Sequence, residues 1–203
     1  LAVGFEQMAP GALQNMYEDR PSPLGDFTDL AQKLYPAPDA FMAPHLFGGA
    51  GLEYTERYGT RPETFARIAE KARRHAEHNE RAIFREQVTV EQVLASPPIF
   101  GLLTRLQCCP PTCGAAAAVL VSERYARQHG LNSEVRIIGQ SMTTDFPSTF
   151  EDQSMMKAIG YDLSRAAADE VYAQAGVGPD YVGVWAETPA ACARIDQEPV
   201  EIF

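Results

Sequence analysis

Apolar and polar positions divide the chain into an irregular start and a more regular remainder. Near the start, Pro10, Pro21, Pro23, Pro36, Pro38 and Pro44 alternate with Gly11 and Gly25, and breakers at that density predict no helix. The aromatic groups Tyr17, Phe27, Tyr35 and Phe41 predict instead a loop packed over a larger body. Phe47, Ala50, Gly51 and Tyr54 share one helical face, which predicts a helix over residues 41–58 with Gly59 as its stop. Thr60, Pro62 and Glu63 form a start signal of cap, first-turn proline and capping box. The stripe Phe65, Ile68, Ala69 and Ala72 carries that helix to about residue 78. A second capping box, Thr89 with Gln92, opens a short helix ending near Ser96.

Downstream, residues 114–121 form a small-to-apolar run without alternation. It reads as a strand covered on both faces, while its alanine density leaves a buried helix open. A helix over 122–129 stopped by Gly130 and a strand over 135–139 follow. Ser148 starts a further helix with Met155, Met156 and Ile159 as its core face. Asp162 or Ser164 then caps one in which Leu163, Ala167 and Val171 recur before Gly176. Residues 181–185 close as a strand. Strands alternating with helical crossovers predict an α/β layered architecture.

Composition narrows the function classes. Of 203 residues, 45 % are hydrophobic, enough to bury a sizeable core. With 17 Lys and Arg against 27 Asp and Glu, the net charge is −10, which argues against a nucleic-acid partner. No apolar run reaches the length of a membrane span, and the start lacks the basic-then-apolar pattern of a signal peptide. A soluble protein of cytosolic type is the expectation. Residues 1–5, Leu-Ala-Val-Gly-Phe, read as the end of a buried strand, so the chain is expected to start inside a larger fold.

Three clusters could carry chemistry. Cys108, Cys109 and Cys113 lie in a turn-rich loop feeding the 114–121 strand, where α/β folds collect ligands, although buried packing thiols fit as well. Their spacing is poor for zinc, and no metal is expected. Residues 61–85 hold seven cations against four carboxylates, a local balance of +3. That run is either a phosphate-binding patch or a solvated face laced by Glu63 with Arg67 and Glu70 with Arg74. His75 and His78 share its surface. Residues 142–151 offer Asp145 and several hydroxyls, which turn formation and a Ser148 cap largely account for.

Four blocks, Gly4-Phe5-Glu6-Gln7-Met8, Gln107-Cys108-Cys109-Pro110 running into Gly114-Ala115-Ala116-Ala117-Ala118, Thr144-Asp145-Phe146-Pro147-Ser148-Thr149-Phe150-Glu151, and Gly160-Tyr161-Asp162, resemble the thiolase domain of the sterol carrier protein X family, the lipid-transfer-protein thiolases. The resemblance runs from Leu1 to about Trp185. It implies a layered thiolase-like α/β fold, here incomplete. Residues 1–5 would end a core strand of the first half, and 6–106 would be a mainly helical loop domain covering coenzyme A. Residues 107–133 would supply the last strand and helix of that half, 134–185 would start the second half, and 186–203 form a divergent tail.

The resemblance further implies an acyltransferase acting on 3-oxoacyl-CoA in lipid or steroid side-chain metabolism, with a coenzyme A thioester as substrate and no covalently bound cofactor. Cys108 and Cys109 would line the pantetheine arm, and Arg73, Arg74 and His75 would meet its phosphates. Acyl-CoA or steroid-CoA, a second copy in a homodimer, or a DUF35-type subunit are the implied partners, in the cytoplasm or, in a eukaryote, the peroxisome. Thr188 stands where the family carries its activating histidine, and Cys113 where it carries an aspartate. The family nucleophile would precede Leu1. An internal piece, inactive alone as a thiolase, is therefore expected, and the tail suggests a reading-frame change after about Trp185. A non-catalytic acyl-CoA or lipid binder and a steroid side-chain retro-aldolase subunit are the alternatives.

Overall fold

The computed structural model describes residues 1–11, 17, 19–132 and 135–181. Helix α1 (Gly25–Leu34) occupies the stretch expected to be irregular. Residues 24–35 lie between Pro23 and Pro36 and contain no proline, and Phe27, Leu30, Ala31 and Leu34 repeat at helical spacing, so the flanking breakers bound a helix rather than prevent one. Helix α2 (Met42–Tyr58) ends as expected on Gly59, whose φ of 69° closes the C-terminus. Its buried residues are His45, Gly48, Gly49 and Ala50; of the predicted face Ala50 is buried and Tyr54 packs on the core, while Phe47 stays exposed. A strand and a helix approach closely there, and at position 48 only glycine fits. A Cβ on Gly48 would lie 2.8 Å from the Phe100 carbonyl oxygen, and one on Gly49 would lie 3.0 Å from Met155 Cε.

Helix α3 (Pro62–Ala76) starts with Pro62 in its first turn, but its N-cap is Arg61 and no side chain caps it, so the box expected from Thr60 does not form. The box at α4 (Val90–Ala95) does: Thr89 Oγ1 accepts from Gln92 N at 3.2 Å, and Gln92 Oε1 accepts from Thr89 N at 2.8 Å. A small antiparallel hairpin, β2 (Pro98–Phe100) with β3 (Leu103–Thr104), follows.

Strand β1 (Ala2–Glu6) pairs antiparallel with β4 (Gly114–Ala118), Ala2 opposite Ala118 and Glu6 opposite Gly114. The alanine run is thus a strand, not a helix. Both strands are exposed throughout, against the expectation of cover on both faces, because among the described residues the ribbon has no third strand. Helix α5 (Glu123–Gln128) is capped by Ser122, whose hydroxyl accepts from Tyr125 N at 3.2 Å.

Residues 135–139 do not form the expected strand. Val135 and Ile137 are exposed, and the following residues are tied sideways to the C-terminal part of helix α8 (Tyr161–Ala175): Gln140 N donates to Gln174 Oε1 at 3.1 Å and Ser141 Oγ to Glu170 Oε2 at 2.6 Å. Helices α6 (Ser148–Glu151) and α7 (Met155–Ala158) precede α8, and Gly160 and Gly176, both at positive φ, bound α8 in place of the Asp162 or Ser164 cap. Ser148 likewise caps nothing. Its hydroxyl donates to Asp162 Oδ2 at 3.0 Å. Of the strand expected at 181–185, Tyr181 closes a 3₁₀ turn (Pro179–Tyr181); the rest of it, Thr188 and the tail lie outside the described residues.

The core joins segments far apart in sequence. Leu30 and Ala31 of α1, Ala50 of α2 and Met155, Met156 and Ala158 of α7 form one buried cluster, sealed by Phe27, whose ring meets Phe150 edge-on at 4.9 Å. Glu53 of α2 latches α7 in place, accepting from Ser154 Oγ at 2.6 Å and from Met156 N at 3.1 Å. His45, 2 % exposed, donates through Nε2 to the Tyr35 carbonyl at 2.7 Å and packs on Phe100, which makes it a core histidine.

Candidate functional site

The cysteine loop is delivered by a hydrogen-bonded platform. Val93 of α4 is fully buried. Its carbonyl accepts from the buried Thr104 hydroxyl at 2.7 Å and from Ser96 Oγ at 2.9 Å. Gln107 then reaches back, its Oε1 accepting from Thr104 N at 2.9 Å, and Leu106 N donates to Ser96 Oγ at 3.2 Å. These bonds fix the 3₁₀ turn Arg105–Gln107 and aim the chain into Cys108. Gln107 thus holds the turn that leads into Cys108.

Cys108 is half-buried, and Cys109 and Cys113 are exposed. Burial, and secondarily the neighbouring Cys109, push the Cys108 thiol above its ordinary pKa, which suits a lining group better than a nucleophile. Met8 N donates to the Cys113 sulfur at 3.3 Å, joining the end of β1 to the start of β4.

The basic run lies on α3 and the loop after it. Helix α3 packs on α4 and touches the Arg105–Gln107 turn that leads into Cys108. The lacing expected of a solvated face is missing: among the described residues no ion pair joins Glu63 to Arg67 or Glu70 to Arg74. One oxygen of Glu63 is buried without a hydrogen-bond partner, and Arg67 instead helps hold the Glu91 carboxyl low, after backbone and Thr89 hydrogen bonds. Arg73 stacks its guanidinium 4.3 Å from the Phe84 ring centre, while Arg74, His75 and His78 are exposed. Chemically, cations not laced to neighbouring carboxylates can hold an anion, and a half-buried neutral thiol can line a bound apolar or amide group.

Two shallow clefts lie elsewhere, on the α1–α2 side. One of about 300 Å³ is lined by Asp26, Asp29, Leu30, Lys33, Phe150 and Gln153, and one of about 320 Å³ by Leu34, Tyr35, Glu53, Glu56 and Gln153. Burial, Glu56 and Glu53 push the Tyr35 hydroxyl up in pKa. Neither cleft includes a predicted site residue. Asp145 is exposed, and the turn around it is closed by Thr149 Oγ1 accepting from Phe146 N at 3.1 Å. Among the described residues no helix is long and apolar enough to cross a membrane.

No protein-family profile matches the chain. It is 44 % identical over 185 residues to Sterol carrier protein 2 of Rattus norvegicus, covering 91 % of this chain and 34 % of that protein. It is 35 % identical over 189 residues to Non-specific lipid-transfer protein-like 2 of Caenorhabditis elegans, 91 % of this chain and 46 % of that one. A weaker likeness, 30 % over 131 residues, covers 64 % of this chain and 33 % of the Benzoylsuccinyl-CoA thiolase subunit BbsB of Thauera aromatica. The chain thus spans a third to a half of the length of these curated relatives.

Proposed function

Since the chain belongs to the sterol carrier protein 2 family over the 185 residues that align, we propose that it is the coenzyme A-facing part of a thiolase-like acyltransferase acting on 3-oxoacyl-CoA in lipid or steroid side-chain metabolism. The observation that carries this reading is the shared platform: α3, whose cations are not laced to its own carboxylates, touches the turn that delivers Cys108 and Cys109. Arg74 and His75, with Arg73 behind them, take the phosphates, and the two thiols line the pantetheine arm. In the same reading the β1–β4 ribbon is part of a layered thiolase sheet, with the helical body around α1 to α4 as its cover.

Of this chain taken by itself, the role is binding rather than bond-making. Thioester chemistry needs a thiolate and a base, and the half-buried Cys108 thiol is shifted away from the thiolate. Calorimetric titration of the 203-residue chain with coenzyme A tests the reading. Saturable binding is expected, weakened about tenfold by Arg74→Gln, as for loss of one charge-assisted hydrogen bond. No thiolysis of acetoacetyl-CoA is expected. Failure to bind coenzyme A, or measurable thiolysis by this chain, overturns the proposal.

A further inference from the structure

The loop after α3, residues 77–87, has a built base and an apolar tip. Arg85 Nη2 donates to the Glu77 carbonyl at 3.0 Å, and Gln87 Nε2 donates to the Glu77 carboxylate, closing the loop at its stem. Inside it, Asn79 Oδ1 accepts from Arg81 N and Asn79 O from Ala82 N, both at 3.0 Å, forming a tight polar turn. With the backbone fixed in this way, the tip still presents Ile83 at 61 % exposure and Phe84 at 44 %. Arg73 covers part of the Phe84 ring, holding it in one orientation. Arg81 and Arg85 bracket the apolar pair, and Lys71, Arg74 and Arg81 make no ion pair among the described residues. Residues 71–87 hold Lys71, Arg73, Arg74, Arg81 and Arg85 against Glu77, Glu80 and Glu86, a balance of +2 in a chain of −10.

We propose that this loop and the basic end of α3 dock on an anionic lipid surface, with Ile83 and Phe84 entering the interface and the bracketing cations meeting headgroup phosphates. The geometry favours lipid over a protein partner. Two apolar side chains fall far short of the roughly 800 Å² per partner that a stable protein interface buries, whereas shallow insertion plus a few cations is what interfacial binding uses. The surface commits the protein to a membrane face without a spanning helix. It shares Arg73 and Arg74 with the coenzyme A reading, and Ile83 and Phe84, which have no part in phosphate binding, tell the two apart.

The test is co-sedimentation of the 203-residue chain with vesicles of phosphatidylcholine and of an equimolar phosphatidylcholine–phosphatidylserine mixture. Binding only to the mixture, weakened by salt, is expected. Lys71→Gln and Arg81→Gln should each lower the partition coefficient about fivefold. Ile83→Ser with Phe84→Ser should reduce it by at least that much; both side chains are exposed, so circular dichroism of this variant should match the parent. Equal binding to both vesicles, or binding that survives the serine pair, places the contact elsewhere, for instance on the exposed ribbon, and overturns the proposal. So does displacement from vesicles by free coenzyme A with the serine pair without effect, which would mark a phosphate site only. Retention on immobilised poly-glutamate without vesicle binding would assign the patch to an acidic protein and overturn it equally.

Discussion

Three glycines within four residues of α2 make one substitution report three different environments. In a helix interior Gly→Ala stabilises by about 1 kcal/mol through propensity and reduced freedom of the unfolded chain. At Gly51 nothing lies within 4 Å of the added Cβ, so the full gain of about 1 kcal/mol should appear. At Gly48 the Cβ would meet Phe100 Cδ1 at 2.7 Å and the Phe100 carbonyl oxygen at 2.8 Å. The obstacle is backbone of the β2–β3 hairpin, which cannot rotate away, so overpacking of about 1–3 kcal/mol outweighs the gain. Gly49 lies between: its Cβ would meet the flexible tip of Met155 at 3.0 Å and the Tyr35 ring at 3.3 Å, and near-neutrality is expected. Gly48→Ala and Gly51→Ala should therefore differ by about 1–3 kcal/mol, or on the order of 2–12 °C in Tm for a chain of this size. Urea unfolding of both variants, with unchanged m-values, is the assay. If Gly48→Ala were as stable as Gly51→Ala, the packing of α2 against the hairpin would be refuted.

Further outcomes follow from the same geometry. Met155→Ala, in a fully buried position between α1 and α2, should cost about 2–5 kcal/mol by urea unfolding, and a loss below 1 kcal/mol would contradict the shared core. Under limiting iodoacetamide at neutral pH, peptide mapping should show the exposed Cys109 modified before Cys108, whose thiol is shifted up by burial; the reverse order would refute the loop's arrangement. Lys157, and secondarily Ser148, hold the Asp162 carboxyl below its ordinary value, so its contribution exists above the unfolded carboxylate range near about pH 4 and disappears as pH falls through the folded value. Asp162→Asn should accordingly lower Tm by a few degrees at most at neutral pH, and the two melting curves should converge on acidification below that range. A difference that persists in acid would remove the ion pair as its cause.

Legibility followed the range of the interaction. Helix stops written in one residue, Gly59 and Gly176, were read directly, as was the Thr89–Gln92 box, because each acts within a turn. Helix α1 is hidden by the surrounding proline density, although the twelve residues between Pro23 and Pro36 are room for three turns. The buried side of α2 is legible only in part: Ala50 and Tyr54 fall on the periodic face, whereas Gly48 and Gly49 are set by Phe100 and Met155, which local periodicity does not contain. Residues 135–139 have strand composition but no strand partner among the described residues, so Gln174 and Glu170 of α8 hold the residues that follow instead. At the candidate site the sequence pointed to the cysteines and the cations separately. Their common platform depends on Thr104, Ser96 and Gln107, ordinary polar residues that acquire meaning only through bonds to Val93 and to one another. The Glu53 latch to Ser154 and the Met8–Cys113 contact each link residues more than a hundred positions apart and leave no local trace.

The β1–β4 pairing has a kinetic meaning. Matching Ala2 with Ala118 closes a loop of more than a hundred residues, an entropic cost of about 4 kcal/mol from chain closure alone. Two-stranded ribbons are marginal in water, and this one has no buried face to offset that closure. The ribbon therefore forms after the helical body has brought its ends near each other, and it opens first. Amide exchange should be fast along β1 and β4 while Val93 and the α2 interior stay protected, so the segment that joins the two ends of the platform is also the one released most cheaply.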